Sequence, residues 1–72
     1  NFFEFVNEYR VNKAKQMLQD QHNIDKTILD ILLESGFNSK SSFHRFFKRY
    51  TGMSAADFRK QIVFEKKAIA DK

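Results

Sequence analysis

The chain has no cysteine, no proline and no tryptophan, and only two glycines. Without cysteine there is no disulfide, no thiolate metal site and no thiol nucleophile, and nothing points to an oxidising compartment; the cytoplasm is the expected location. With no proline and with glycine only at positions 36 and 52, helical segments meet few interruptions. No apolar run approaches the roughly 18 residues of a membrane span, and no signal-peptide pattern is present, so this segment is expected to make no membrane contact. The parts of an active site are missing too. Two distant histidines, no carboxylates clustered at ligand spacing and no phosphate-cradling glycine loop argue against an enzyme, a cofactor or a metal centre. Finally, residues 35 to 56 contain no Asp or Glu at all.

What is present fits one small domain. Seventy-two residues lie near the lower limit for a self-sufficient core. Thirteen Lys and Arg against nine Asp and Glu give a net charge of +4 and a pI of about 9.6, which favours nucleic acid or an acidic surface as partner. The chain begins at Asn1 rather than Met, so it is expected to be a piece of a longer protein.

The expected fold is all-α, a small bundle of about four helices containing a helix-turn-helix of the homeodomain-like kind. The first helix runs from Phe2 or Phe3 to Gln19, followed by a polar connector, Asp20-Gln21-His22-Asn23. Thr27 with Asp30 three residues on forms a capping box that opens a second helix over Ile28 to Ser35. Gly36 can take the left-handed conformation that ends a helix, and Asn38 or Ser39 supplies the acceptor that caps the next. The third helix runs from Ser39 to Tyr50 and stops at Gly52. Ser54 with Asp57 forms a second capping box opening a fourth helix, which turns Phe58 and Ile62 inward with Val63 at the border. Residues 65 to 72 are weakly amphipathic, and the end of this stretch is expected to fray. The nine phenylalanines are core by default, and Phe37 plugs the corner after Gly36.

The third helix carries the functional signal. At ~100° per residue, Phe43, Phe46, Phe47 and Tyr50 fall on one arc while Ser41, His44, Arg45 and Lys48 point the other way. Any surface helix has a solvated charged face; the turn in front of this one changes its meaning. A helix, a glycine turn and a capped second helix follow helix-turn-helix syntax, and in that motif the N-terminal residues of the second helix meet base edges in the major groove. Those residues here are Lys40, Ser41, His44 and Arg45. A protein-interaction module with a basic face stands as the alternative, and a shallow RNA-binding patch stands behind it.

The stretch from Ile28 to Ser54, with Ser35-Gly36-Phe37-Asn38 and Phe43-His44-Arg45-Phe46-Phe47 at its centre, followed by Asp57-Phe58-Arg59, resembles the second helix-turn-helix of AraC/XylS-type transcriptional regulators. Phe5-Val6-Asn7, Arg10-Val11 and Ala14 through Leu18 are similar to the long helix that links the two helix-turn-helix units of that family. The resemblance covers about Phe2 to Lys60. It implies a linker helix over residues 1–20, a helix-turn-helix unit with its closing helix over 24–64 and a tail over 65–72. It also implies sequence-specific binding to double-stranded DNA, with Lys40, Ser41, Ser42, His44 and Arg45 towards bases and Ser39, Lys48 and Arg49 towards phosphates. A first helix-turn-helix and a ligand or signal-input domain, both absent here, would be partners of the segment.

Two positions depart from the family pattern. Leu32 stands where alanine is usual, which implies repacking, and Ala55 stands where proline is usual, a change the first turn of a helix tolerates. Arg10, among apolar neighbours, is expected to pair with a carboxylate such as Glu34 or Asp57. His22 has no evident role. The apolar residues of the first helix spread over roughly 240° of the wheel, more than one packed face needs, so some aromatics should be exposed, and either self-association through this helix or fraying at Asn1 to Phe5 is expected.

Overall fold

Side-chain caps open each helix, and the sequence supplies one at every start. In the computed structural model, which describes the backbone of residues 1–70 and the side chains of residues 1–65, Asn1 accepts the Glu4 N–H at 2.9 Å and begins α1 (Phe2–Gln19). The helix stops at Asp20, whose carboxylate accepts the His22 N–H at 2.9 Å and caps one 3-10 turn, Gln21–Asn23, inside the expected connector. His22 also has a ring partner in the Asp20 carboxylate, 3.0 Å away, although both side chains are largely exposed.

The capping box of α2 (Ile28–Glu34) is complete: the Asp30 N–H donates to Thr27 Oγ1 at 3.1 Å and the Thr27 N–H donates back to Asp30 Oδ2 at 3.0 Å. Hydrogen bonds from the Thr27 backbone first and its hydroxyl second, with Lys26 adding a smaller Coulombic pull, hold the Asp30 carboxyl below the usual aspartate value despite some desolvation. At the other end the Phe37 N–H donates to Leu32 O at 3.0 Å and the Gly36 N–H to Leu33 O at 3.1 Å. That bond pair is a Schellman motif; it needs a left-handed residue, which Gly36 provides with φ +106°.

Ser39, rather than Asn38, caps α3 (Lys40–Thr51), accepting the Ser42 N–H at 3.1 Å. Gly52, at φ +83°, closes α3 by donating to Lys48 O at 2.8 Å. Ser54 accepts the Asp57 N–H at 3.1 Å, the hydroxyl half of the expected box, and starts α4 (Ala55–Ala70). The stretch expected as a tail is therefore helical as far as Ala70, and residues 71–72 lie outside the described ones.

α1 packs against α2, α3 and α4, and α3 packs against α2 and α4. Its buried positions, Asn7, Val11, Ala14 and Leu18, step by three or four residues and form one stripe. Facing them are Ile31, Leu32, Phe37, Phe43, Phe46, Phe47 and Ala55. Burial of each large apolar side chain contributes about 1.5–3 kcal/mol. Edge-to-face rings run through this core, Phe37 to Phe43 at 5.4 Å and Phe47 to Phe58 at 5.5 Å, tying the turn, α3 and α4 together.

Several expectations need correction. Phe2, Phe3, Phe5 and Phe64 are not core; for Phe2, Phe3 and Phe5 this is the exposure that the apolar girth of α1 implied, and Val63 is half exposed while Phe58 and Ile62 pack partly inward. Arg10 has no carboxylate partner among the described residues. Its guanidinium lies over the Phe37 ring, 5.9 Å from the centroid, because Glu34 is held by Lys26 at 2.9 Å and Arg10's own stem fills the space beside Gly36. Leu32 is 1 % exposed, so the larger residue is accommodated inside the core.

Candidate nucleic-acid interface

α3 divides along its length into a buried and a free face. Phe43, Phe46 and Phe47 are buried and Tyr50 is half-buried, whereas Lys40, Ser41, His44, Arg45, Lys48 and Arg49 are exposed. Ser42 is half-buried on the flank. Ser39 is exposed at the cap, where its oxygen already accepts the Ser42 N–H. The spacing of the aromatics thus acts as a ruler: each turn of α3 that buries a ring sends a cation or hydroxyl outward.

Among the described residues, Lys40, Arg45, Lys48 and Arg49 take part in no ion pair. The cause lies in the sequence, since no carboxylate occurs between 35 and 56. Among the described residues, Asn1–Glu4 and Lys26–Glu34 pair elsewhere, and the His22 ring meets the Asp20 carboxylate at 3.0 Å. Four cations on one helical face with no internal counter-charge create a field that a polyanion can neutralise. His44 sits among them with its ring edge against Phe43, 5.4 Å between centroids.

The turn sets the angle at which this face is presented. Gly36 does two jobs: its φ is one that L side chains rarely adopt, and a Cβ there would meet Arg10 Nε at 3.3 Å. Phe37, 2 % exposed, anchors the corner as expected. Beside the turn, the starts of α2, α3 and α4 converge on a shallow crevice lined by Thr27, Leu29, Lys40, His44 and Ala56. Lys40 and His44 therefore project at the junction of three helix N-termini, whose partial positive ends add to the local field.

On this face two contacts were not anticipated. Arg45 lies over the Phe46 ring at 5.0 Å and Arg49 over the Tyr50 ring at 5.9 Å. The signal was present in the sequence as two Arg-aromatic doublets four residues apart, Arg45-Phe46 and Arg49-Tyr50.

Comparison with known proteins agrees with this geometry. The family model described as "Helix-turn-helix domain" matches residues 1–61. The melibiose operon regulatory protein of Escherichia coli (strain K12) is 40% identical over 57 residues, covering 79% of this chain and 18% of that protein. An uncharacterised HTH-type transcriptional regulator of Staphylococcus aureus (strain COL) is 40% identical over 58 residues, 81% of this chain and 7% of that protein. The chain thus spans less than a fifth of the length of these curated relatives. No solved structure matches. Among the described residues, no helix is long and apolar enough to cross a membrane. A matching family model over most of the chain, a capped helix-turn-helix and an uncompensated basic face on its second helix agree: the chain belongs to the AraC-type helix-turn-helix family of DNA-binding transcription regulators, and it is not an enzyme.

Proposed function

We propose that this chain supplies one groove-reading unit of a cytoplasmic transcription regulator, with α3 in the major groove of double-stranded DNA. The observation that carries the reading is the exposed face of α3, where Lys40, Arg45, Lys48 and Arg49 have no carboxylate partner among the described residues. Lys40, Ser41, Ser42, His44 and Arg45, towards the start of the helix, approach base edges. Arg pairs bidentately with guanine O6 and N7, and Lys donates to the same acceptors. Ser39, Lys48 and Arg49 meet phosphates and set the register.

The aromatic ridge of α1 is assigned to packing. Phe2, Phe5 and Tyr9 are 80%, 67% and 62% exposed, an apolar surface of the kind that marks an interaction site. Within the regulator, a first helix-turn-helix would cover it, with a signal-input domain beyond. The chain alone is expected to self-associate through this ridge at high concentration, and sedimentation of Phe2→Ser/Phe5→Ser chains should return the monomer.

Titration with duplex DNA at several salt concentrations tests the main reading. Neutralising two phosphates, through Lys48 and Arg49, gives a slope of log K against log salt of about −2. A slope near zero overturns it in favour of a protein-interaction module.

A further inference from the structure

The first turn of α1 is pinned more firmly than its exposure suggests. Asn1 caps it through the Glu4 N–H, buried Asn7 donates its side-chain amide to Phe3 O at 2.9 Å, and the Tyr50 hydroxyl reaches Glu4 O at 3.5 Å. The Phe3 ring stands edge-on against Phe46, with centroids 5.7 Å apart and planes at 68°. Phe46 and Tyr50, one helical turn apart, stack at 6.4 Å and 18°. The guanidinium groups of Arg45 and Arg49 lie over these same two rings. Phe3 to Phe46 to Arg45 is thus a continuous contact from α1 to the outward face of α3, with Tyr50 to Arg49 one turn further on.

We infer that Phe46 and Tyr50 are positioning residues for Arg45 and Arg49, and that Phe3 sets Phe46, so that the first turn of α1 governs how both guanidinium groups are presented to DNA. This rests on the groove-reading role of α3 proposed above. The chemistry suits the task. A cation–π contact holds a guanidinium by its charge and leaves its N–H donors available. A side chain held in this way before binding loses less rotamer freedom when its hydrogen bonds form. Among the described residues, Lys40 and Lys48 lie over no ring. The outward face therefore carries two arginines seated on rings beside two lysines that are not. Any unit that packs on the α1 ridge presses on the turn that holds Phe3, which gives it a direct route to the arginines.

Proton NMR of the free chain tests the positioning without DNA. Side-chain protons over an aromatic face shift upfield, so the δ-methylenes of Arg45 and Arg49 are expected upfield of those of Arg59, which among the described residues lies over no ring. Phe46→Leu should abolish the Arg45 shift and Tyr50→Leu the Arg49 shift. Phe3→Leu, at a position 61% exposed and so tolerant of substitution, should reduce the Arg45 shift, whereas Phe2→Leu should leave it unchanged. On a duplex selected from random sequence by the unsubstituted chain, Phe3→Leu should bind about two- to tenfold more weakly, the cost of immobilising one rotamer-rich side chain, at unchanged salt slope. Ordinary shifts for both arginines, or a Phe3→Leu chain with the Arg45 shift and affinity of the parent, overturn the inference. Intact shifts with no salt-dependent DNA binding by the parent chain overturn the groove-reading role instead.

Discussion

α1 and α3 each carry three phenylalanines and one tyrosine, and they treat them in opposite ways. In α3 the rings at 43, 46, 47 and 50 share one arc and turn inward. In α1 the rings at 2, 3, 5 and 9 do not share the register of Val11, Ala14 and Leu18. At ~100° per residue, Phe2, Phe5 and Tyr9 fall opposite that stripe and Phe3 at its edge. Burial follows register rather than residue type. A helix has one face to give to a three-helix floor, and in α1 small residues already occupy it.

The largest effect should come from removing a ring on the buried side. Phe47→Ala is expected to cost about 3–5 kcal/mol through lost burial and a residual cavity, whereas Phe5→Ala should stay within about 0.5 kcal/mol. Urea denaturation of both checks this, and similar losses would break the contrast between the helices. Next comes Leu32, in the core and nearly inaccessible. If the helices have moved apart around it, Leu32→Ala leaves a cavity and costs about 2–5 kcal/mol; equal or higher thermal stability would mean that the leucine crowds its neighbours.

The outward side of α3 should respond in binding rather than in stability. Lys40→Ala or Arg45→Ala should cost about 1–3 kcal/mol on a selected duplex and relax discrimination, while Lys48→Ala weakens all sequences alike and lowers the salt slope by about one unit. Equal losses on selected and random duplexes for all three would remove the distinction between base readers and phosphate contacts.

At the turn between α2 and α3, Arg10 of α1 packs beside Gly36 and over Phe37. Gly36→Ala should cost about 1–3 kcal/mol and displace the Arg10 guanidinium from Phe37, because strain and close approach coincide there. Gly52→Ala meets open space and suffers the strain alone, so thermal melts should rank it as milder. The smallest effect belongs to Asp30, in the capping box of α2. Its folded pKa is lowered, so its stabilisation is fully present above the unfolded value of about 4 and is lost as pH falls through the folded one. Parent and Asp30→Asn melts should differ at pH 7 and converge as the pH drops below about 4.

Helix starts and stops were legible because each rests on local chemistry: Thr27 and Asp30 three residues apart, Ser39 before Ser42, glycine where φ turns positive. The face of α3 was legible because its aromatics keep a strict helical period. Arg10 was not, because its choice between a carboxylate and a ring depends on Lys26 taking Glu34 from a distance of eight residues. Nor was the outward turn of Val63, since a borderline position at the end of a packed stripe is decided by what faces it.

The sequence by itself determined the all-α class, the capped turn, the acid-free window and the identity of the outward cations, for these follow from backbone propensity and from period. Only the tertiary structure decided which aromatics are covered, that Arg45 and Arg49 rest on rings braced by α1, and that Arg10 and Gly36 share one small space. Those outcomes depend on side chains far apart in sequence competing for the same volume, and neither period nor propensity ranks such competitors.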